Sequence, residues 1–223
     1  MPLERSSRRS SRATAAPFER GDRRERAILA SLTGLLVNAS LRSISIGDIA
    51  KGAGISRPSL YFYFDSKAQI FCALLARTRY HCPDDFPLLA SVEASAITAE
   101  VRSIVDQTVR SWQENTVVLR RGFEAAEDLD VQRQWQQTMS GLIGFIAEWI
   151  DRRRSAGLLV TTEETSAELA ESLIWLIEKS CYRLFASRAT TQAEQDRRAA
   201  VLAGVGLRIL GETPAHVLPD RRP

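Results

Sequence analysis

The segment from Ser45 to Lys67 constrains this chain most, because it combines a glycine turn with start signals for two short helices. Ser45 can cap a first helix whose apolar residues share one face, and Gly54 can supply the backbone conformation that ends it. Ser56 can cap a second helix that carries Pro58 in its first turn, where a missing N–H costs nothing. This spacing is typical of a helix-turn-helix, whose second helix enters the major groove of DNA.

The second helix carries side chains that suit contact with DNA. Arg57 can donate two hydrogen bonds to guanine, and Ser59 can bond a base or a phosphate. The aromatic run can touch thymine methyl groups or phosphates, and Lys67 can share a phosphate with a helix N-terminus. The predicted DNA-contacting residues are Ser45, Ser56, Arg57, Pro58, Ser59, Tyr61, Phe62, Tyr63 and Lys67. The alternative is a small aromatic core, which we expect for Leu60 and Phe64 and in part for Tyr63.

The charges are segregated along the chain. Residues 1–80 hold 14 Lys and Arg against 6 Asp and Glu, a net charge of +8, whereas the remaining residues carry a net charge of −5. Because neutralisation of phosphates supplies most non-specific affinity for DNA, a basic N-terminal part favours a nucleic-acid partner. A solvated charged surface explains any single one of these residues but not their segregation.

The helix-turn-helix segment resembles the TetR family of bacterial transcriptional repressors, and its wording is similar to the branch that contains the mycobacterial ethionamide-resistance regulator. The residues that carry the resemblance follow the family's order: Gly54, Ile55, Ser56, Ser59, Leu60, Tyr61, Tyr63, Phe64 and Lys67. The match is strongest over about residues 22–80. Many members have Lys-Gly or Lys-Pro where this chain has Arg57-Pro58, so a base preference does not transfer.

The periodicity predicts an all-α chain with a helix-turn-helix head and a larger helical bundle. The predicted parts are a disordered basic arm (1–21), a DNA-binding domain (22–68), a ligand-binding and dimerisation domain (69–213) and a flexible tail (214–223). A capping box at Asp22 is expected to open the first helix, and the helix after the head is expected to reach about Tyr80. Later helices are predicted near 92–114, 116–127, 131–157, 163–188 and 192–211, with Gly157 and Thr162 as stop and start signals. The arm can follow the minor groove or act as a solubilising tail.

Large apolar side chains at helical spacing in the body indicate either plain core or a cavity between helices. The resemblance favours a cavity, because most members of the family bind a small molecule there and release DNA. The predicted lining residues are Trp112, Phe123, Met139, Ile143, Ile146, Trp149, Ile174, Trp175 and Ile177, with Glu178 as a polar anchor. A small apolar effector is therefore the expected ligand, although Glu178 can equally pair with an arginine.

The last two helices combine apolar stripes with small residues that allow close approach. The apolar positions are Leu169, Leu173, Leu176, Ile177, Val201, Leu202, Val205, Leu207 and Ile209. The resemblance implies that two subunits pair these helices in a homodimer, which would hold two recognition helices about 34 Å apart, one turn of B-DNA. An intrachain hairpin would bury the same stripe.

Signals for catalysis, metal binding and membrane insertion are absent from the sequence. His81 and His216 are the only histidines, the three cysteines lack zinc spacing, and neither a nucleophile elbow nor a phosphate loop occurs. We expect no cofactor and no metal, a cytoplasmic location, and cysteines that are reduced. Cys82 beside His81 is the better candidate if one thiol acts as a sensor.

These observations favour a homodimeric repressor that binds a palindromic operator in double-stranded DNA and leaves it when an apolar molecule fills the body. Activation is the alternative mode of regulation. One rival is a DNA-binding regulator with a solid core and no ligand, and another is a helical enzyme or carrier whose basic head is incidental. Salt-sensitive, specific binding to duplex DNA discriminates against the last.

Overall fold

The computed structural model describes residues 17–78, 97–124, 128–186 and 190–211. Within these ranges the chain forms helices and no strand, which confirms the predicted all-α fold. The helices are α1 (Pro17–Leu36), α2 (Ile46–Gly52), α3 (Arg57–Tyr61), α4 (Lys67–Arg77), α5 (Ile97–Glu114), α6 (Thr116–Glu124), α7 (Leu129–Ser155), α8 (Ser166–Phe185) and α9 (Gln192–Ile209).

The head is built on α1, which packs against α2 and α4, while α2 packs against α3. The apolar face of α1 places Ile28 and Leu32 in a core with Leu60, and all three are fully buried. The contact between α1 and α2 is close, because Ser31 Oγ donates to the carbonyl of Ile49 at 2.8 Å and a side chain at Gly52 would collide with that hydroxyl. The recognition helix therefore has a rigid support.

Two boundaries in the head differ from the predictions. The first helix begins at Pro17 and not at Asp22, whose carboxylate instead accepts a hydrogen bond from Arg26 one turn later, at 2.6 Å. An acidic residue near a helix start and one in an i,i+4 pair give the same sequence pattern. The helix that leaves the head ends at Arg77 with Thr78 as its cap, and Tyr80 lies outside the described residues.

The body is a bundle in which α7 packs on α8 and α5 packs on both α8 and α9. Its core holds the indoles of Trp112 and Trp149, both with no exposed surface. The short α6 touches α5, α7 and α8 within the body and also α1 and α4 of the head. Helix α4 packs on α6 and α7, so head and body share a continuous contact.

The end of α7 and the start of α8 test two further expectations. Gly157 follows α7 with a φ of 70°, as expected for a helix stop that favours glycine. The next helix is capped by Thr165, not Thr162, because Thr165 forms a capping box with Glu168. Thr162 instead accepts a hydrogen bond from Arg154 at 2.8 Å. None of the helices that the structure describes is long and apolar enough to cross a membrane.

Candidate nucleic-acid interface and effector region

The turn between α2 and α3 is held by a double backbone hydrogen bond around Gly54. The N–H of Ile55 donates to the carbonyl of Ala50 at 3.0 Å, and the N–H of Gly54 donates to the carbonyl of Lys51 at 3.1 Å. Gly54 has a φ of 68°, a conformation that favours glycine. This geometry is a Schellman motif, which ends α2 and turns the chain directly into α3.

Both helices of the motif start at the predicted serines. Ser45 Oγ accepts from the N–H of Asp48 and bonds its carboxylate, while Ser56 Oγ accepts from the N–H of Ser59 at 3.2 Å. The hydrogen bonds from Ser45 lower the pKa of Asp48. The hydroxyls of Ser45 and Ser56 are thus engaged in fixing the starts of α2 and α3, which orients the side chains that follow.

Helix α3 and the three residues that follow it divide their side chains between two environments. Leu60 and Phe64 face the core, as predicted, and Tyr63 is partly buried against it. Arg57, Pro58, Tyr61 and Phe62 form an exposed patch, in which Phe62 is 88% exposed. Ser59 lies half-buried between them. The structure therefore brings four of the predicted contact residues together on one outward surface.

Within this patch the Arg57 side chain runs along the helix towards Tyr61. Its Nη2 donates to the Tyr61 hydroxyl at 3.5 Å, and the guanidinium carbon lies 6.0 Å from the centre of the ring. This contact is long and exposed, so it costs little to break. The Arg57 guanidinium can therefore leave Tyr61 for an outside acceptor.

Lys67 has protein partners that its sequence position did not reveal. Its Nζ donates to the carbonyl oxygens of Ile44 at 2.8 Å and Arg42 at 3.1 Å. The ammonium thereby ties the start of α4 to the segment that precedes α2. A phosphate contact by Lys67 stays a prediction, whereas its role in linking these two segments follows from the geometry.

The residues predicted to line one pocket divide into two groups. Trp112 and Phe123 belong to an aromatic cluster completed by Trp135, Tyr182 and Phe185, in which neighbouring ring centres lie 4.6–6.5 Å apart. The Trp112 indole donates to the buried carboxylate of Glu178 at 3.1 Å. Glu178 is therefore a buried anchor, although its acceptor role here serves a tryptophan of the same chain.

The second group surrounds a small apolar cavity of about 20 Å³. Ile146, Trp149, Ile174 and Ile177 line it together with residues of α5 and α9. Met139 is buried and Ile143 half-buried on the same helix as Ile146. This volume is far below the roughly 300–1,000 Å³ of a ligand pocket, so these described residues do not enclose a ligand-sized space.

Trp175 does not belong to either group, which corrects its placement in the pocket. It lies on the outer face of α8 and is 39% exposed. Ile174 and Ile177, which lie close to Trp175 in sequence, face the interior. Because successive side chains of a helix are rotated by about 100°, Trp175 points away from them. A tryptophan in an apolar run is not distinguishable from core by sequence pattern alone.

The apolar stripe of the last two helices also divides. Leu169, Leu173, Ile177, Leu202 and Leu207 are buried within the chain, as an intrachain hairpin requires. Leu176, Val205 and Ile209 are only partly buried, and Val201 is half exposed. Together with Trp175 they leave an apolar outer face on α8 and α9.

A buried ion pair in the body was missed by sequence reasoning. Arg153 of α7 donates from Nη2 and Nε to the two carboxylate oxygens of Glu100 in α5, at 2.7 and 2.9 Å. The Trp149 indole donates to the same carboxylate at 2.7 Å. The available signal was a charged residue at an apolar-face position in each helix.

The described cysteines are poor candidates for a thiol sensor. Burial, with a contribution from nearby Glu178, raises the pKa of the Cys181 thiol well above its usual value. Burial also raises the pKa of Cys72, and Asp128 and Asp130 add to this effect. The other expected candidate, Cys82 beside His81, lies outside the described residues. Among the described residues no cluster of metal-binding side chains occurs.

Comparison with known proteins identifies both parts of the chain. Residues 28–74 match the family described as bacterial regulatory proteins, tetR family, and residues 101–210 match the C-terminal domain of the transcriptional regulator EthR. The chain is 34% identical over 185 residues to the HTH-type transcriptional regulator EthR of Mycobacterium tuberculosis, covering 82% of this chain and 84% of the relative. It is 30% identical over 176 residues to EthR of Mycolicibacterium smegmatis, covering 78% and 81%.

Solved structures agree on the fold. The MbdR regulator from Azoarcus sp. CIB superposes with a TM-score of 0.66 at 17% identity, covering 86% of this chain and all of that one. A TetR-family transcriptional regulator from Agrobacterium tumefaciens gives 0.63 at 19% identity, covering 85% and 99%. With a helix-turn-helix head, an EthR-type body and relatives that are regulators and not enzymes, this chain belongs to the TetR family of bacterial transcriptional regulators.

Proposed function

We propose that this regulator represses transcription from a palindromic operator in the bacterial cytoplasm and is released when a mostly apolar small molecule enters its body. The observation that carries the proposal is the exposed patch of α3. There Arg57, Tyr61 and Phe62 extend from a helix whose Leu60 is fully buried. Large side chains held rigidly at the surface are what a reading helix needs.

The patch suits the major groove of DNA. Arg57 can give paired donors to guanine O6 and N7, and the exposed ring of Phe62 can contact thymine methyl groups. Tyr61 can bond a phosphate oxygen. The side chains sit on a turn fixed by Gly54 and two capped helix starts, so they enter the groove with little loss of conformational freedom.

Regulators of this family are dimers that bind DNA, and the outer face of α8 and α9 is the surface that we assign to pairing. Trp175, Leu176, Val201, Val205 and Ile209 supply an apolar centre there. Both helices also carry exposed arginines, a residue type that suits the polar rim of many interfaces. A two-fold axis through this face would present two α3 helices to successive major grooves.

The proposed effector region lies among α5, α7 and α8, between the aromatic cluster and the small apolar cavity. Because the cavity holds only about 20 Å³, an effector has to separate these helices to enter. A ligand that binds only the opened body shifts the population towards that state. Because the two binding equilibria are linked, DNA that prefers the closed body must weaken binding of the effector.

The proposal is tested by selecting duplexes from a random library with the full-length protein and measuring affinity against salt. We expect a palindromic consensus, two subunits per site, and a steep fall of affinity as salt rises. Selection of no sequence, with binding equal for every duplex, would overturn the reading function of α3.

A regulator without an effector is the second candidate, and the small size of the apolar cavity favours it. The two readings differ in what accompanies the purified protein. Native mass spectrometry that shows a bound apolar molecule, and operator release on adding that molecule, supports the effector. Screening of apolar compounds that never raises the melting temperature supports a body that serves only dimerisation.

A further inference from the structure

We propose that Arg121 of α6 couples the aromatic cluster of the body to the DNA-binding head; the inference rests on the proposed function. Arg121, Glu124 and the carbonyl of Leu36 together form the α6 bridge.

The head end of the α6 bridge is the last residue of α1. Arg121 Nε donates to the carbonyl oxygen of Leu36 at 3.2 Å. The final carbonyls of a helix lack partners within the helix and carry partial negative charge, so a guanidinium is well matched there. The Leu36 side chain is fully buried in the head core, which makes this position rigid.

The body end of the α6 bridge reaches the aromatic cluster. Arg121 Nη1 pairs with Glu124 Oε2 at 2.9 Å, and the other oxygen of Glu124 accepts a hydrogen bond from the Tyr182 hydroxyl at 3.2 Å. The Tyr182 ring stacks on Phe123 at 4.6 Å and meets Trp112 edge-on at 6.3 Å. A continuous set of contacts therefore runs from the interior to α1.

Movement at the end of α1 would be transmitted to the recognition helix α3, because α1 packs on both α2 and α4 and α2 packs on α3. Beside the α6 bridge an open cleft of about 960 Å³ lies on one side of the contact between head and body, and Arg42, Lys67 and Asp128 are among its lining residues. The head thus has room to move on this side, while the packed rings of the cluster resist continuous deformation. Displacing Tyr182 would shift Glu124, and with it the hold of Arg121 on Leu36.

Coupling of this kind is reciprocal, so DNA alone can report it without a known effector. The probe is the duplex selected above, added to protein labelled with 5-fluorotryptophan and followed by fluorine NMR. The chain has four tryptophans, and each resonance is assigned from its Trp→Phe variant. We expect the duplex to shift the Trp112 resonance in the parent protein.

The decisive variant is Arg121→Gln, for which we expect at least half of that shift to disappear while the duplex still binds. Arg133→Gln is the matched control, because Arg133 also pairs with an acidic residue three positions away, Asp130, but on the exposed surface of α7. It should behave as the parent does.

An unchanged Trp112 shift in Arg121→Gln overturns the inference, as does a parent protein that binds the duplex without any shift at Trp112. A parent that binds no duplex overturns the proposed function instead. If Arg121→Gln does not fold, Tyr182→Phe removes only the hydroxyl that meets Glu124, and the same loss of shift is expected. Retention of the full shift in Tyr182→Phe counts against the inference.

Discussion

The head and the body use large side chains in opposite ways. In the head, α3 has five residues and presents Arg57 and Tyr61 to the solvent, together with Phe62 at its C-cap. In the body, α7 has 27 residues and hides Trp149 and even the charged Arg153, which is 3% exposed. Both parts use helix caps and a glycine turn, but the body adds packing between long helices.

The difference follows from what each part has to contact. A reading surface must leave donors and rings free for a large partner, so its stability has to come from beneath, through Leu60 and the caps. A region that binds a small apolar molecule must keep its apolar side chains away from water until the ligand covers them. We therefore expect substitutions in the body to act mainly on stability and substitutions on α3 to act on DNA affinity.

The largest expected effect is in the body, at the buried ion pair. Glu100→Ala leaves Arg153 buried without its carboxylate and should lower the free energy of unfolding by about 3–5 kcal/mol. Urea unfolding measures this, and the double replacement Glu100→Leu with Arg153→Met should recover part of the loss, because the buried Trp149 indole still lacks its acceptor. The exposed pair of Arg133 and Asp130 is the control, because Arg133→Ala should cost less than about 1 kcal/mol. Equal costs for the two pairs would contradict the contrast drawn between buried and exposed charges.

Trp175 tests whether the body also has an outward-facing role. Trp175→Ala should weaken dimerisation by about 2 kcal/mol or more, as loss of an aromatic interface residue commonly does, while the fold of each subunit stays intact. Analytical ultracentrifugation over a concentration series measures the dimer, and circular dichroism follows the helices. The fully buried Trp149 is the comparison, since its replacement by alanine should cost about 3–5 kcal/mol of stability. If Trp175→Ala remains a dimer at every concentration, α8 does not supply the interface.

On the head, Arg57→Ala should lower specific operator affinity by about 1–3 kcal/mol and relax the preference at one base pair. The melting curve should hardly change, because the Arg57 side chain is exposed. Gel-shift titrations against every single-base variant of the selected duplex give the measurement. Arg77→Ala removes another exposed arginine, one paired with Glu25 away from α3, and serves as the control. Identical affinities of Arg57→Ala and the parent for all duplexes would exclude a base contact.

Lys67 is predicted to contact DNA and also links two segments of the head. Its replacement is expected to have the smallest effect. Lys67→Met removes an ammonium that donates to Arg42 and Ile44, so stability should fall by about 1 kcal/mol, and an unchanged slope of log affinity against log salt would then show that the predicted phosphate contact is not made. A slope reduced by about one unit, with no loss of stability, would assign Lys67 to a phosphate instead. Thermal melts and salt titrations on the same protein separate the two roles.

The local features of the head were readable from the sequence because neighbouring residues determine them. A cap, a glycine stop and a proline in the first turn act within four residues of one another, and Ser45, Gly54 and Ser56 occupy the roles predicted for them. The same holds for Leu60 and Phe64, whose burial follows from helical spacing. The start of α1 was misplaced because Asp22 can cap a helix or pair within one, and the local pattern is the same.

The partition of the body could not be read in this way, because it depends on which helices meet. An apolar residue reads alike whether it faces the interior, as Trp112 does, or the outer face of α8, as Trp175 does. The pairing of Glu100 with Arg153 joins residues 53 positions apart and exists only because α5 and α7 pack together. The sequence by itself determined the fold class, the family and the local geometry of the reading motif, since those rest on short-range rules and composition. Only the tertiary structure decided how the side chains of the body are divided between core, cavity and surface, since long-range packing sets that division.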